Sequence, residues 1–318
     1  MATKFAIGCL VQWYEIEILP EYIDTLLDAV DAYSKDEVLI DIELTTNQDL
    51  EQIDAPDRML TILHDFYKQT NRLSEYNLKF KISKELVTIA DYRREFNERY
   101  CEQVDVLVWG ESDMLVPRQA FQSLDRLHQS QSNQTPKYLA TFAICKMWDD
   151  SWKPLEHVDF THKQHSDNRD DWWGVNYTMT QEEMNSFNDK VEDLQVTAVS
   201  PHKFNGCGLV ISSEVIKAGV NIPRSVFFIH EDTAFMLMTQ KILGNIPQYH
   251  FQNILVVHNR KRMDKRMYIK GESGESIGQL RKSNKWYTTA NKMCEQNCYN
   301  ILNPNYKSYT WNDVWQAL

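Results

Sequence analysis

Apolar positions along the chain change period from one stretch to the next, and they do so regularly. Residues 4–11, KFAIGCLV, form a continuous apolar run of strand length. Leu19, Tyr22, Ile23, Leu26, Leu27 and Val30 then recur at helical spacing, with Pro20 suited to a first turn. EVLIDIEL (37–44) reads as strand, DRMLTILHDFYKQ (57–69) as helix, LKFKI (78–82) as strand and LVTIADYRREFNERYC (86–101) as helix. VDVLVW (104–109) is the next strand, PRQAFQSLDRLHQ (117–129) the next helix and KYLATFAIC (137–145) a further strand. This β-α-β-α alternation predicts an α/β fold with a mostly parallel sheet covered by helices.

Between Met147 and Gly174 no period holds, and the segment is crowded with Trp, His and Asp. Its four tryptophans, Trp148, Trp152, Trp172 and Trp173, argue against disorder. A structureless stretch of that length is usually functional, and some of these rings are expected to be core. Periodicity resumes with a helix over 180–193, a strand at GLVIS (208–212), a helix at EDTAFMLMTQKIL (231–243) and one long strand at YHFQNILVVH (249–258). No repeat or proline-rich linker divides the chain. A single catalytic domain over 1–266 is expected, with halves of about 1–117 and 118–266. Residues 267–318 would form a flap at GESGESIG (271–278) and a helical extension.

Charge narrows the choice of partners. A net charge of −11 argues against non-specific coating of nucleic acid. Yet Arg260, Lys261, Arg262, Lys265 and Arg266 crowd one stretch, with Arg281, Lys282, Lys285 and Lys292 beyond it. That asymmetry suggests a site for something anionic. The six cysteines are scattered singly, so buried thiols in a reducing, cytoplasmic setting are expected, with Cys294 and Cys298 in the core. No apolar run is long enough to span a membrane, and the N-terminus lacks the pattern of a secretory signal.

Candidate chemistry sits where the strand VDVLVW ends. Glu111, Ser112 and Asp113 follow it, and alternation along an extended segment puts Glu111 and Asp113 on one side. Two carboxylates so placed repel each other unless a cation lies between them. Further on, Glu231 and Asp232 open a helix, and His258 closes a strand directly before NRKR. Each feature alone has a plainer reading: a turn, a helix cap, a hydrogen-bonded histidine, a solvated basic face.

Taken in order, the set resembles the GT-A nucleotide-sugar glycosyltransferases, especially the inverting group called family two. The resemblance covers roughly residues 4–266. It implies a Rossmann-like mixed sheet and a metal-dependent transfer from a nucleotide-diphosphate sugar, UDP being the commonest. Mn²⁺ or Mg²⁺ would be held by Asp113, with Glu111 and His258 contributing, and Arg260, Lys261 and Arg262 would neutralise the diphosphate. Asp232 would be the general base, with Glu231 as its neighbour or as a contact to the acceptor. Gln12, Trp13 and Asp41 would contact the nucleotide, and Glu111 could also reach its ribose. The first acid is Glu where the family usually has Asp, and CLVQWYE replaces its usual proline-rich turn.

The acceptor implied is a glycan or a hydroxylated base in DNA, either of which could stack on the tryptophans. Rival readings are a sugar-phosphate nucleotidyltransferase, a hydrolase using His157, His162, His165, Asp167 and Asp170, and a non-catalytic sugar- or nucleic-acid-binding module. The first should carry a glycine-rich phosphate loop, and no glycine follows Gly8 in CLVQWYEIE.

Overall fold

The computed structural model describes residues 2–46, 56–147, 149–163, 179–200, 203–259 and 285–318. The strands are β1 (Phe5–Gln12), β2 (Val38–Thr45), β3 (Asn77–Ser83), β4 (Val106–Trp109), β5 (Met114–Leu115), β6 (Leu139–Ala143), β7 (Val196–Val199), β8 (Leu209–Ser212), β9 (Gln248–Leu255) and β10 (Val257–His258). The helices are α1 (Leu19–Asp31), α2 (Pro56–Asn71), α3 (Ile89–Tyr100), α4 (Ala120–Gln131), α5 (Gln181–Asn188), α6 (Ser213–Lys217), α7 (Glu231–Leu243), α8 (Lys285–Tyr299) and α9 (Trp311–Gln316).

Eight strands form one sheet in the order β3-β2-β1-β4-β8-β6-β9-β7. Neighbours from β3 to β4 run parallel, as do β6 and β9, whereas β8 is antiparallel to both of its neighbours and β7 to β9. The sheet is therefore mixed and mostly parallel. Nearly all of β1, and all of β2 and β4, is buried, as strands covered on both faces must be. The chain reaches β2 on one side of β1 and β4 on the other, so the order reverses beside β1. In open α/β sheets a crevice opens at such a point, beyond the carboxyl ends of the strands.

Helix α1 buries Leu19, Tyr22, Ile23, Leu26, Ala29 and Val30, most of the stripe that the sequence spacing predicts. Helix α3 begins at an N-cap, where the Thr88 hydroxyl accepts from the Asp91 backbone N–H at 3.1 Å. It also buries two arginines, Arg93 and Arg94, which an amphipathic reading would have turned to solvent. The Arg94 guanidinium is satisfied by the carbonyls of Ile222, Pro223 and Val226 and by Asp91. Arg93 points toward the ends of the strands.

The second half of the chain departs from its sequence reading in three places. The helix expected over 180–193 stops at Asn188, and β7 follows as an unforeseen edge strand. The run YHFQNILVVH is two strands, because the β6–β9 pairing shifts register after Phe142 and the chain leaves the sheet at Val256. Beyond that break β10 pairs antiparallel with β5, matching His258 to Met114. Trp152 is buried, and His157 packs edge-on against Phe160 and Phe187, so both belong to the core. Trp148, Trp172, Trp173, His165, Asp167, Asp170, Arg260, Lys261, Arg262 and the glycine-rich 271–278 stretch lie outside the described residues.

Helices α8 and α9 close the fold near the start of α7. Trp286, Tyr287 and Trp311 pack around Phe228, and Asn297 Nδ2 donates to the Ser225 and Tyr309 carbonyls at 2.8 Å each. All six cysteines are buried and none is in a disulfide. Among the described residues no helix is long and apolar enough to cross a membrane.

Candidate active site

Strand β4 ends at Trp109, and the turn after it is fixed from several directions. The Gly110 N–H donates to the Gly8 carbonyl of β1 at 2.7 Å. The Ser112 hydroxyl donates to Glu15 Oε2 at 2.7 Å, which ties the turn to the end of β1. Glu111 and Asp113, on either side of Ser112, converge on one histidine. His258 Nε2 lies 2.8 Å from Asp113 Oδ2 and 3.3 Å from Glu111 Oε2. The β5–β10 ribbon sets this meeting, and Asn259 locks it by donating its N–H to the Asp113 carbonyl and its Nδ2 to Glu21 Oε2, each at 2.6 Å.

A cleft of about 270 Å³ opens beside the turn. Gln12, Tyr14 and Glu15 wall it from the end of β1, residues 86–89 from the approach to α3, and Phe228, Ile229 and Tyr287 from the opposite side. Glu111, Ser112 and Asp113 line its acidic edge. The donor set fits a divalent cation: two hard carboxylates and one imidazole converge at the mouth of a cleft. Cys207 also stands there, and ligand atoms of Glu111, Cys207 and His258 lie within 4.8 Å of one another.

The second acidic pair is built differently. Glu231 is buried at the first turn of α7, where Arg93 Nη1 donates to its Oε1. Through Nη2 the same guanidinium reaches Glu111 Oε1 at 2.7 Å and the Gly206 carbonyl at 3.1 Å, and it stacks over Trp109 at 4.7 Å. Burial alone would lower the Arg93 pKa, but Glu231 and Glu111 outweigh it and hold the charge in place. Burial pushes the Glu231 carboxyl up to about 7, with Arg93 opposing the rise and Asp232 adding to it. Asp232 is only partly buried, and its Oδ1 accepts from the Thr233 N–H at 2.6 Å.

Just before this pair, His230 adopts a left-handed backbone with φ 68°, alone among the described non-glycine residues. That conformation costs on the order of 1 kcal/mol or more and persists only where the surroundings hold it. Asn291 of α8 does so, its Oδ1 lying 2.9 Å from His230 Nε2. Cys294 Sγ, 2.9 Å from the Ile229 carbonyl, braces the same loop.

Two expected nucleotide contacts stand elsewhere. Trp13 is buried edge-on against Tyr14 instead of facing the cleft, which Gln12 does line. Asp41 lies mid-strand in β2, where its carboxylate accepts from Tyr92 at 2.8 Å and Tyr100 at 2.5 Å and pairs with Arg99 at 3.2 Å. It is a structural anchor for α3 and not part of the cleft wall. Arg93 and Cys207 were not singled out from the sequence. The position of Arg93 within the apolar stripe of α3, beside Ala90, Phe96 and Tyr100, was the only hint of the first, and nothing marked the second.

No protein-family model and no curated protein matches this sequence. Comparison of the fold with solved structures does find matches. A mannosyltransferase from Pyrobaculum calidifontis, in complex with GDP-Man and Mn²⁺, superposes with a TM-score of 0.54 at 10% identity, over 100% of this chain and 69% of that one. TarS 1–349 of S. aureus gives 0.49 at 9% identity, over 94% and 72%. GalNAc-T7 with UDP, GalNAc and Mn²⁺ gives 0.49 at 9%, over 99% and 53%. The first of these carries the comparison, and at that identity it speaks to architecture alone. With its mixed eight-stranded sheet and helical flanks, the chain has the GT-A fold.

Proposed function

We propose that this protein is an inverting glycosyltransferase that moves a sugar from a nucleotide-diphosphate donor, with uridine as the base, to an acceptor hydroxyl. The observation that carries the reading is the convergence of Glu111, Asp113 and His258 beside a cleft at the ends of β1 and β4. Asp113, Glu111 and His258 would hold a divalent cation, Mn²⁺ or Mg²⁺, which when bound neutralises charge developing on the departing diphosphate. Gln12 contacts the donor from the end of β1. Arg260, Lys261 and Arg262 follow His258 and Asn259 directly in sequence and are assigned to the diphosphate.

In an inverting displacement the acceptor hydroxyl attacks the anomeric carbon from the face opposite the leaving group and must lose its proton as it does so. Asp232 takes that proton, being the partly exposed member of its pair. Glu231, held by Arg93, positions the first turn of α7 and does not meet the acceptor. The acceptor is a glycan hydroxyl or a hydroxylated base in DNA. The buried, unbridged cysteines suit a reducing, cytoplasmic compartment.

The test is incubation with a panel of nucleotide sugars, with Mn²⁺, Mg²⁺ or a chelator, while release of nucleoside diphosphate is measured. Metal-dependent release from a UDP-sugar is the expected result, accelerated by a hydroxylated acceptor. If no nucleotide sugar is turned over and none raises the melting temperature, the reading fails.

A further inference from the structure

The acid turn of β4 and the strand that carries His258 are joined at the site by a residue of different chemistry. Cys207 lies in the tight segment Gly206-Cys207-Gly208 that feeds β8. Its backbone is fixed on both sides: the Cys207 N–H donates to Asn205 Oδ1 at 2.9 Å, and the Gly208 N–H to the Trp109 carbonyl at 2.9 Å. Gly208 has φ +75°, which few other residues adopt, so the thiol is delivered by a turn with little freedom to move. Its sulfur, a Glu111 oxygen and a His258 nitrogen all lie within 4.8 Å of one another. Donors bound at about 2.0–2.3 Å stand at most about 4.6 Å apart across one ion, so small side-chain rotations bring all three onto a single centre.

We infer that Cys207 is a ligand of the divalent cation, making the centre a mixed thiolate, imidazole and carboxylate site that selects softer ions over Mg²⁺. This inference rests on the cation-binding reading of the site. Thiolate sulfur is a soft donor, matched to Zn²⁺, Co²⁺ and Cd²⁺ and poorly matched to Mg²⁺, which prefers oxygen and holds its waters. On binding, the thiol gives its proton to solvent and the sulfur lone pair goes to the metal, with no change of oxidation state. His258 reaches both acids, and the sulfur stands with Glu111 and His258 as the third member of one cluster, an arrangement that needs little rebuilding. Cys9, by contrast, is fully buried in β1, and burial, followed by Glu15 and the two acids of the turn, holds its thiol well above the ordinary range. It stays a core residue.

The experiment is a Co²⁺ titration of the full-length protein, read by near-ultraviolet absorbance for a sulfur-to-cobalt charge-transfer band. It is repeated with Cys207→Ser and Cys207→Ala, and Zn²⁺ and Mg²⁺ affinities are measured by calorimetry. The wild type is expected to show the band and the serine variant to lose it. Zn²⁺ affinity falls about 100-fold in that variant and Mg²⁺ affinity less than about 3-fold. X-ray absorption of the Zn²⁺ form of the wild type should show a sulfur shell at about 2.3 Å, a reading that needs no variant to fold. Cobalt binding without the band, or a band that survives in both variants, overturns the role of Cys207 and leaves the cation site standing. Absence of cobalt binding in the wild type overturns this inference and the cation assignment together. A band present without any glycosyl transfer keeps this inference and rejects the proposed reaction.

Discussion

The two acidic pairs at the site are made of the same chemistry and are used in opposite ways. After β4 the chain does not stay extended but turns, the Met114 N–H closing on the Glu111 carbonyl at 3.0 Å, and this turn brings both Glu111 and Asp113 to His258. At the start of α7, adjacent helical positions send Glu231 inward to Arg93 and leave Asp232 partly exposed. A turn collects two acids on one target; helical adjacency buries one acid and leaves its neighbour partly exposed. One pair therefore concentrates negative charge at a single point, while the other commits one carboxylate to a buried ion pair and leaves the second accessible. Arg93 joins them, with one nitrogen on Glu111 and another on Glu231.

Removing that link should have the largest effect. Arg93→Met leaves Glu231 buried without its cation, and breaking a buried pair costs about 3–5 kcal/mol. A fall of that size in urea-unfolding free energy, together with loss of donor binding, is expected. Unchanged stability would mean the two pairs are independent. Next comes Asp232→Asn, for which turnover should fall by about 10²–10⁴ with little change in donor affinity, as for loss of a general base. Steady-state kinetics at saturating donor checks this, and a loss confined to donor binding would move Asp232 to the side of Glu111.

Asp113→Asn should weaken metal-dependent nucleotide binding by about 100-fold, seen by calorimetric titration with and without Mn²⁺. The fold should persist, because the variant keeps the size and shape of the side chain. A further effect is on pH dependence. With its folded carboxyl at about 7, above its ordinary value of 4.5, Glu231 holds a proton in the folded chain that the unfolded chain has already released. Its contribution to stability is full below about pH 4.5 and is lost as pH rises through 7. Glu231→Gln should flatten that decline by on the order of 3 kcal/mol, measured from urea midpoints between pH 4.5 and 8.

Local pattern made most of the architecture legible. The elements from β1 to α4 follow the period of their apolar residues, since burial of a stripe or a face is what makes them stable. What escaped depends on partners distant in sequence. The antiparallel setting of β8 and the exit of β10 from the sheet arise from pairing, which a run such as NILVVH does not encode. That Glu111, Asp113, Glu231 and Asp232 stand at element ends was legible because acids there are conspicuous, and His258 was legible because it closes a strand. Arg93 was hidden because its charge is balanced by residues 18 and 138 positions away. Asp41 misled for the opposite reason: a charge in a strand looks like a site until two tyrosines and an arginine are found around it.

Gly206 carries a consequence for how this chain can change over generations. A Cβ at that position would fall 2.2 Å from Arg93 Nη1, so no larger residue is compatible with the guanidinium where it stands. The two positions are thus one heritable unit, 113 residues apart. A side chain at 206 would push the guanidinium from its place between Glu111 and Glu231, so the glycine and the arginine are expected to change together. In a set of divergent descendants, substitutions at 206 should be found with substitutions at 93.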